Sequence, residues 1–166
     1  MPKTTTLVIN TSPLISLVAA LGDLNVLDSL YQQVLVPWEV CQEIQKGGAD
    51  GFAVAEFEQA TFLKKYPTPV EIPPFLSKTL DRGEAAVIQL ALTAGISTVC
   101  IDEAAGRRVA RLHDLSLTGS IGILIRAQRE GYPFAMPQAI AQMREKGIWL
   151  SERVVRVALE QQMGLH

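Results

Sequence analysis

Histidine and cysteine are scarce in this chain of 166 residues, with two of each. Cys41 and Cys100 lie inside apolar runs. They predict buried thiols in a reducing compartment, and nothing suggests a disulfide framework. His113 stands alone on its segment and His166 is terminal. Neither has a metal-ligand partner at useful spacing, and no His-based triad is present. A phosphate-binding Gly-rich loop and a dinucleotide fingerprint are also missing. No apolar run reaches the roughly 18 residues that span a bilayer. Met1-Pro2-Lys3-Thr4 opens directly into a strand-like segment without a signal-peptide layout, so no membrane partner is expected and the expected location is cytoplasmic. An excess of one charge is lacking too, since the net charge is −2. A nucleic-acid partner would have to be held by a local basic patch and not by the global field.

What is present suits a compact fold. Hydrophobic residues make up 48 % and charged residues 19 %, which excludes global disorder. The length is enough for one core, and no repeat or linker divides it, so residues 1–166 are expected to form a single domain. Thr6-Leu7-Val8-Ile9 reads as a buried parallel strand. Ser12 is a candidate cap and Pro13 a candidate first helical residue, for a helix ending at Gly22. A second helix is expected from Asp23 through Tyr31, then a strand at Val34-Leu35-Val36. A third helix should run from Trp38 to about Lys46, and a short one from Asp50 to about Glu58. Residues 60–75 read as an edge strand, Thr61 to Tyr66, followed by a surface connection. Asp81 and Glu84 have capping-box spacing before a buried helix to Ala94. A strand at 97–101, a helix from Glu103 to His113, a short strand at 116–118 and a helix to about Glu130 follow. Two further helices, about 137–146 and 151–163, end the chain. Strands alternating with helices imply βαβ units, hence an α/β fold with a short parallel sheet flanked by helices on both faces.

In an open parallel sheet, functional groups collect beyond the carboxyl ends of the strands. The first strand ends in Asn10-Thr11-Ser12, and the strand at 97–101 ends in Asp102-Glu103. Asp81 and Glu84 open a helix that faces the same edge, and Glu43 lies on a helix that can lean over it. Hard oxygen ligands of this kind suit Mg²⁺ or Mn²⁺. A cation there relieves carboxylate repulsion and can activate water against a phosphodiester. The plainer readings are local. Asn10, Thr11 and Ser12 can be helix caps, as can Asp81 and Asp102, while Glu84 can be the reciprocal partner in the capping box. Glu43 can be a solvated helix residue four positions from Glu39.

Several stretches also carry a family resemblance: Val8-Ile9-Asn10-Thr11-Ser12-Pro13-Leu14-Ile15, Asp81-Arg82-Gly83-Glu84-Ala85-Ala86, Ile101-Asp102-Glu103-Ala104-Ala105-Gly106-Arg107-Arg108, and Leu117-Thr118-Gly119-Ser120-Ile121-Gly122-Ile123-Leu124. In this order they resemble the DUF3368 branch of PIN-like domains, which is related to VapC toxins. The likeness runs from Leu7 to about Leu159. It implies a three-layer α/β/α PIN-like domain and a metal-dependent endoribonuclease, in the role of the toxin of a toxin–antitoxin pair. By position it implies Asn10, Glu43, Glu84 and Asp102 as the four site residues, with Glu103 as an auxiliary ligand. The Thr11 or Ser12 hydroxyl would hold a water. It further implies an RNA substrate, a small antitoxin-like partner and a homodimer. One departure stands out: the first position, usually Asp in such domains, is Asn10. An amide oxygen can ligate a cation but brings no charge, which favours weakened catalysis or a nucleic-acid-binding role without turnover.

Arg107, Arg108 and Arg111, with Arg126 and Arg129, are a candidate phosphate-binding face, against the plainer reading of a solvated helix. Beyond residue 133, Ile140, Met143, Ile148, Trp149, Leu150, Val154, Val155, Val157 and Leu159 form apolar stripes. They predict helices packed on the domain or at a subunit interface.

Overall fold

The computed structural model describes residues 4–47 and 51–162. Met1 to Lys3, the expected helix start at Asp50 and the last expected helical residue, Met163, lie outside the described residues. The elements run β1 (Thr4–Ile9), α1 (Thr11–Leu21), α2 (Asn25–Leu30), β2 (Tyr31–Val36), α3 (Trp38–Lys46), α4 (Val54–Gln59) and β3 (Leu63–Lys65). They continue α5 (Pro74–Thr79), α6 (Arg82–Ala94), β4 (Thr98–Cys100), α7 (Ala104–Leu112), β5 (Ser116–Thr118), α8 (Ser120–Arg129), α9 (Met136–Glu145) and α10 (Glu152–Gln162).

The five strands form one sheet in the order β3-β2-β1-β4-β5, all parallel. Helices flank it in a three-layer α/β/α arrangement, as the alternating pattern required. β1 is central, and Leu7, Val8 and Ile9 are fully buried. Its partners are fixed by register: Val8 lies opposite Leu35 of β2 and Val99 of β4. On one side, α1, α8, α9 and α10 pack together. α6 lies on β1 and β4 and also contacts α3, α5 and α7. Both cysteines are buried free thiols. Among the described residues, no helix is long and apolar enough to cross a membrane.

Three local expectations need correction. Tyr31 does not end α2 but opens β2, where Tyr31 and Gln33 lie in register with Thr4 and Thr6 of β1. The backbone ladder decides there, although Gln32 and Gln33 point polar side chains to solvent. The surface connection expected within residues 60–75 gives way at Pro74 to a short helix, α5, that was not expected. Pro73 and Pro74 start it, and one deeply buried side chain, Leu76, anchors it. Finally, α1 begins at Thr11, with Asn10 at the N-cap in an extended conformation. Neither Asn10 nor Ser12 caps it by side chain; Ser12 bonds instead to Glu103.

The strand order places a reversal at β1. From there the chain builds outward to β2 and β3, then returns to the other side for β4 and β5. The crevice between the carboxyl ends of β1 and β4 is the topological switch point, where ligands of open α/β sheets bind. Asn10 and Asp102 stand on its two sides.

Candidate active site

Asn10 follows β1 directly. Its backbone N–H donates to the Cys100 carbonyl at 3.0 Å, which ties the end of β1 to β4. The side chain is 4 % exposed. Its Nδ2 donates to Glu103 Oε2 at 3.4 Å, while Oδ1 has no hydrogen-bond partner among the described residues. Ser12, on the first turn of α1, donates its hydroxyl to the other Glu103 oxygen. Glu103 is the N-cap residue of α7 and reaches back across the crevice. Asn10, Ser12 and Glu103 therefore form one bonded group from two distant parts of the chain.

Glu84 enters through α6. The capping box expected from the sequence is formed: Asp81 Oδ1 accepts the Glu84 N–H at 2.8 Å, and Glu84 Oε1 accepts the Asp81 N–H at 3.4 Å. The box does not exhaust the side chain. Glu84 is 4 % exposed, and its Oε2 is buried without a partner among the described residues. Burial, with repulsion from Asp81 and Glu103, raises this carboxyl from 4.5 to about 7. Asp102 follows Ile101 at the end of β4. It accepts from the Ser120 N–H at 2.8 Å and from the Ser120 hydroxyl at 3.0 Å. Burial still raises its pKa above the ordinary value; Glu103 adds to the rise, while Ser120 and Arg107 oppose it.

Glu43 comes from α3, whose exposed face it occupies. Its carboxylate tip is turned to the site, over Gly83. A Cβ on Gly83 would stand 3.0 Å from Asn10 Oδ1 and closer still to Glu43 Oε1. Partial burial raises the Glu43 pKa, with Asp81 and Glu103 adding to the rise and the Thr11 hydroxyl and Arg82 lowering it. The Glu103 charge thus acts on Glu43, Glu84 and Asp102 alike. All of these oxygens belong to one sheet edge.

Glycines make the close approach possible. A Cβ on Gly106 would lie 2.9 Å from both Glu84 Oε2 and Ile101 Cγ2. One on Gly119 would lie 2.7 Å from Asp102 Oδ1. Gly83, Gly106, Gly119 and Ser120 were not singled out from the sequence. All four lie inside the stretches that carry the family resemblance, and Gly106 in a helix interior, which costs about 1 kcal/mol against Ala, implies a packing reason.

The arginines divide. Arg107 Nη1 donates to the carbonyls of Ile101 at 2.8 Å and Thr118 at 3.2 Å, clamping the ends of β4 and β5 together. Arg108 and Arg111 are exposed on α7 and are not drawn into the carboxylate group. Arg126 is committed to Glu130 and the Leu30 carbonyl.

Among the described residues, no three His, Cys, Asp or Glu side chains converge into a ready-made ion cage. The donors nevertheless suit a hard divalent cation. Two buried oxygens, Asn10 Oδ1 and Glu84 Oε2, lack partners, and each such atom costs roughly 1–3 kcal/mol when left unsatisfied. Carboxylates whose pKa values are raised by burial, and further by a neighbouring charge such as Glu103, gain most from a nearby cation.

No curated protein matches the chain. A family model does, over residues 6–163, and the chain belongs to that family, DUF3368, a PIN domain.

Proposed function

We propose that this chain is an Mg²⁺- or Mn²⁺-dependent endoribonuclease, with Asn10, Glu43, Glu84 and Asp102 holding the ion and Glu103 beside them. PIN domains carry a nuclease-like fold that implies a nucleic-acid substrate, and they generally use divalent metal ions. The observation that carries this reading is the pair of unpartnered buried oxygens, Asn10 Oδ1 and Glu84 Oε2, set among carboxylates whose pKa values are raised by burial and by the charge of Glu103. When bound, the cation supplies Lewis-acid charge at a phosphodiester. The chain's own groups do the rest. Ser120 fixes the Asp102 carboxylate by two hydrogen bonds and so sets its direction. Asn10 Nδ2 and the Ser12 hydroxyl hold Glu103. The capping box ties down Glu84 Oε1 and leaves Oε2 as the oxygen available to the ion. The Thr11 or Ser12 hydroxyl can hold a water.

Purified protein with Mn²⁺ is expected to cleave RNA, and Asp102→Ala to remove the activity by at least about a hundredfold, as for loss of a group that stabilises transition-state charge. Failure to cleave any of a panel of RNAs would reject the enzyme reading. A second reading is favoured by Asn10, which is neutral and already spends its Nδ2 on Glu103. Under it the protein binds RNA in a salt-dependent way without turnover.

The proposal extends to a toxin–antitoxin pair, with a small antitoxin-like protein and a second copy of this chain as partners. It is supported by apolar surface at the end of α7 far from Glu103, where Phe75 packs edge-on to His113 at 5.4 Å beside the exposed Leu112. A solution mass of one chain counts against the second copy. Pull-down from the native host without a small partner counts against the antitoxin.

A further inference from the structure

One face of the crevice continues into a groove of about 890 Å³ that leads from Asp102, Ser12 and Ser120 to Ile148, Trp149 and Arg153. Trp149 is 83 % exposed, against the high average burial of tryptophan. Its position is set by its neighbours. Gly147, at φ +83°, ends α9, and the Ile148 N–H closes on the Met143 carbonyl at 3.1 Å. Ile148 and Leu150 both pack against the core, so the residue between them is turned outward. Ser151 Oγ then accepts the Val154 N–H at 3.1 Å and caps α10. An aromatic face held outward by inward-docked neighbours is preorganised for stacking.

We infer that Trp149 is a base-stacking platform that holds single-stranded RNA beside Asp102, with Arg153 on the backbone phosphate. This deepens the ribonuclease reading and rests on it. Three observations favour nucleic acid as the occupant. The groove is continuous with the candidate catalytic carboxylate. Its charged lining is two arginines, Arg107 and Arg153, against Asp102 alone. Arg153 sits in the first turn of α10, where the helix dipole disfavours a cation. It is exposed and has no ion-pair partner among the described residues, which leaves its guanidinium available to an anionic ligand. Trp38, the other tryptophan, lines a separate pocket with Glu43, Asp81 and Arg82. Its face is covered by the Arg82 guanidinium 5.4 Å from the ring centroid, which leaves the open platform to Trp149. Stacking is sequence-tolerant, and a paired base cannot offer its face, so the substrate class is single-stranded.

The test is binding of a labelled single-stranded oligoribonucleotide in Ca²⁺, with cleavage of the same oligonucleotide read separately in Mn²⁺. Wild type is compared with Trp149→Ala, Trp149→Phe and Trp38→Ala, and the solution mass of each is recorded. Trp149→Ala is expected to weaken binding about tenfold or more. Trp149→Phe should restore most of it, and a duplex of the same sequence should bind less well. Trp149-dependent binding without Mn²⁺ cleavage would leave this inference standing and remove the enzyme reading. Cleavage with affinity unaffected by Trp149→Ala would do the reverse. The inference also falls if the wild type does not bind, if the duplex binds as well, or if Trp149→Ala changes only the solution mass.

Discussion

Replacing Asn10 by Asp places a new charge beside Glu103, to which the native amide donates at 3.4 Å. Without metal, Asn10→Asp should lower the melting temperature by a few degrees, since about 1 kcal/mol shifts a domain of this size by roughly 2–4 °C. With Mn²⁺ the sign reverses. One charge pair at ~4 Å is worth roughly 4 kcal/mol at an effective dielectric of about 20, before desolvation, so metal affinity should rise at least about tenfold. Calorimetry and melting curves check both, and no change in either would mean that Asn10 does not face the ion. Glu84 makes a pH-dependent claim at the same scale. A carboxyl with a raised folded-state pKa binds its proton more tightly in the folded state. Its contribution to stability is therefore present below the ordinary value of 4.5 and lost as the pH rises through about 7. The raised pKa values of Glu43 and Asp102 act in the same direction. In chelator, Glu84→Gln should reduce the fall in melting temperature between pH 5 and pH 7.5; an unchanged pH profile would contradict the assigned environment. The sequence made the Asp81–Glu84 capping box legible because it is local. The burial of Glu84 Oε2 against Gly106 was not, because it depends on how α6 and α7 meet.

At the scale of elements, α7 approaches α6 and β4 only because residue 106 has no Cβ. Gly106→Ala gains helix propensity of about 1 kcal/mol. It also forces a carbon to 2.9 Å from Glu84 Oε2 and Ile101 Cγ2, and overpacking costs typically 1–3 kcal/mol. The variant should melt lower than wild type and bind Mn²⁺ more weakly, by melting curves and titration. A more stable protein with unchanged affinity would show that α7 is free to move. Strands with β-branched apolar runs, such as Leu7-Val8-Ile9, were readable from sequence because burial on both faces demands such runs. Two elements were hidden for physical reasons. The polar Gln32 and Gln33 disguise the start of β2, which is set by backbone pairing to β1. α5 spans six residues with Leu76 as its only buried anchor, too few to show a helical period.

For the whole molecule, the decisive feature is the strand order, which brings the carboxyl ends of β1 and β4 side by side and makes neighbours of Asn10 and Asp102. No local pattern encodes that order, so the proposal of Asn10, Glu43, Glu84 and Asp102 as one site rested at the sequence level mainly on family resemblance. The same limit explains Trp149 and Val157. Both fell into an apolar stripe by spacing, yet Trp149 is exposed and Val157 partly so, along the groove. The central claim is that oxygens from four separate segments share one cation. Calorimetric titration of Mn²⁺ into the wild type and Asp102→Ala tests it most directly. The account predicts saturable binding by the wild type that weakens at least about tenfold in the variant. No saturable heat in the wild type, or equal affinity in both proteins, would contradict it.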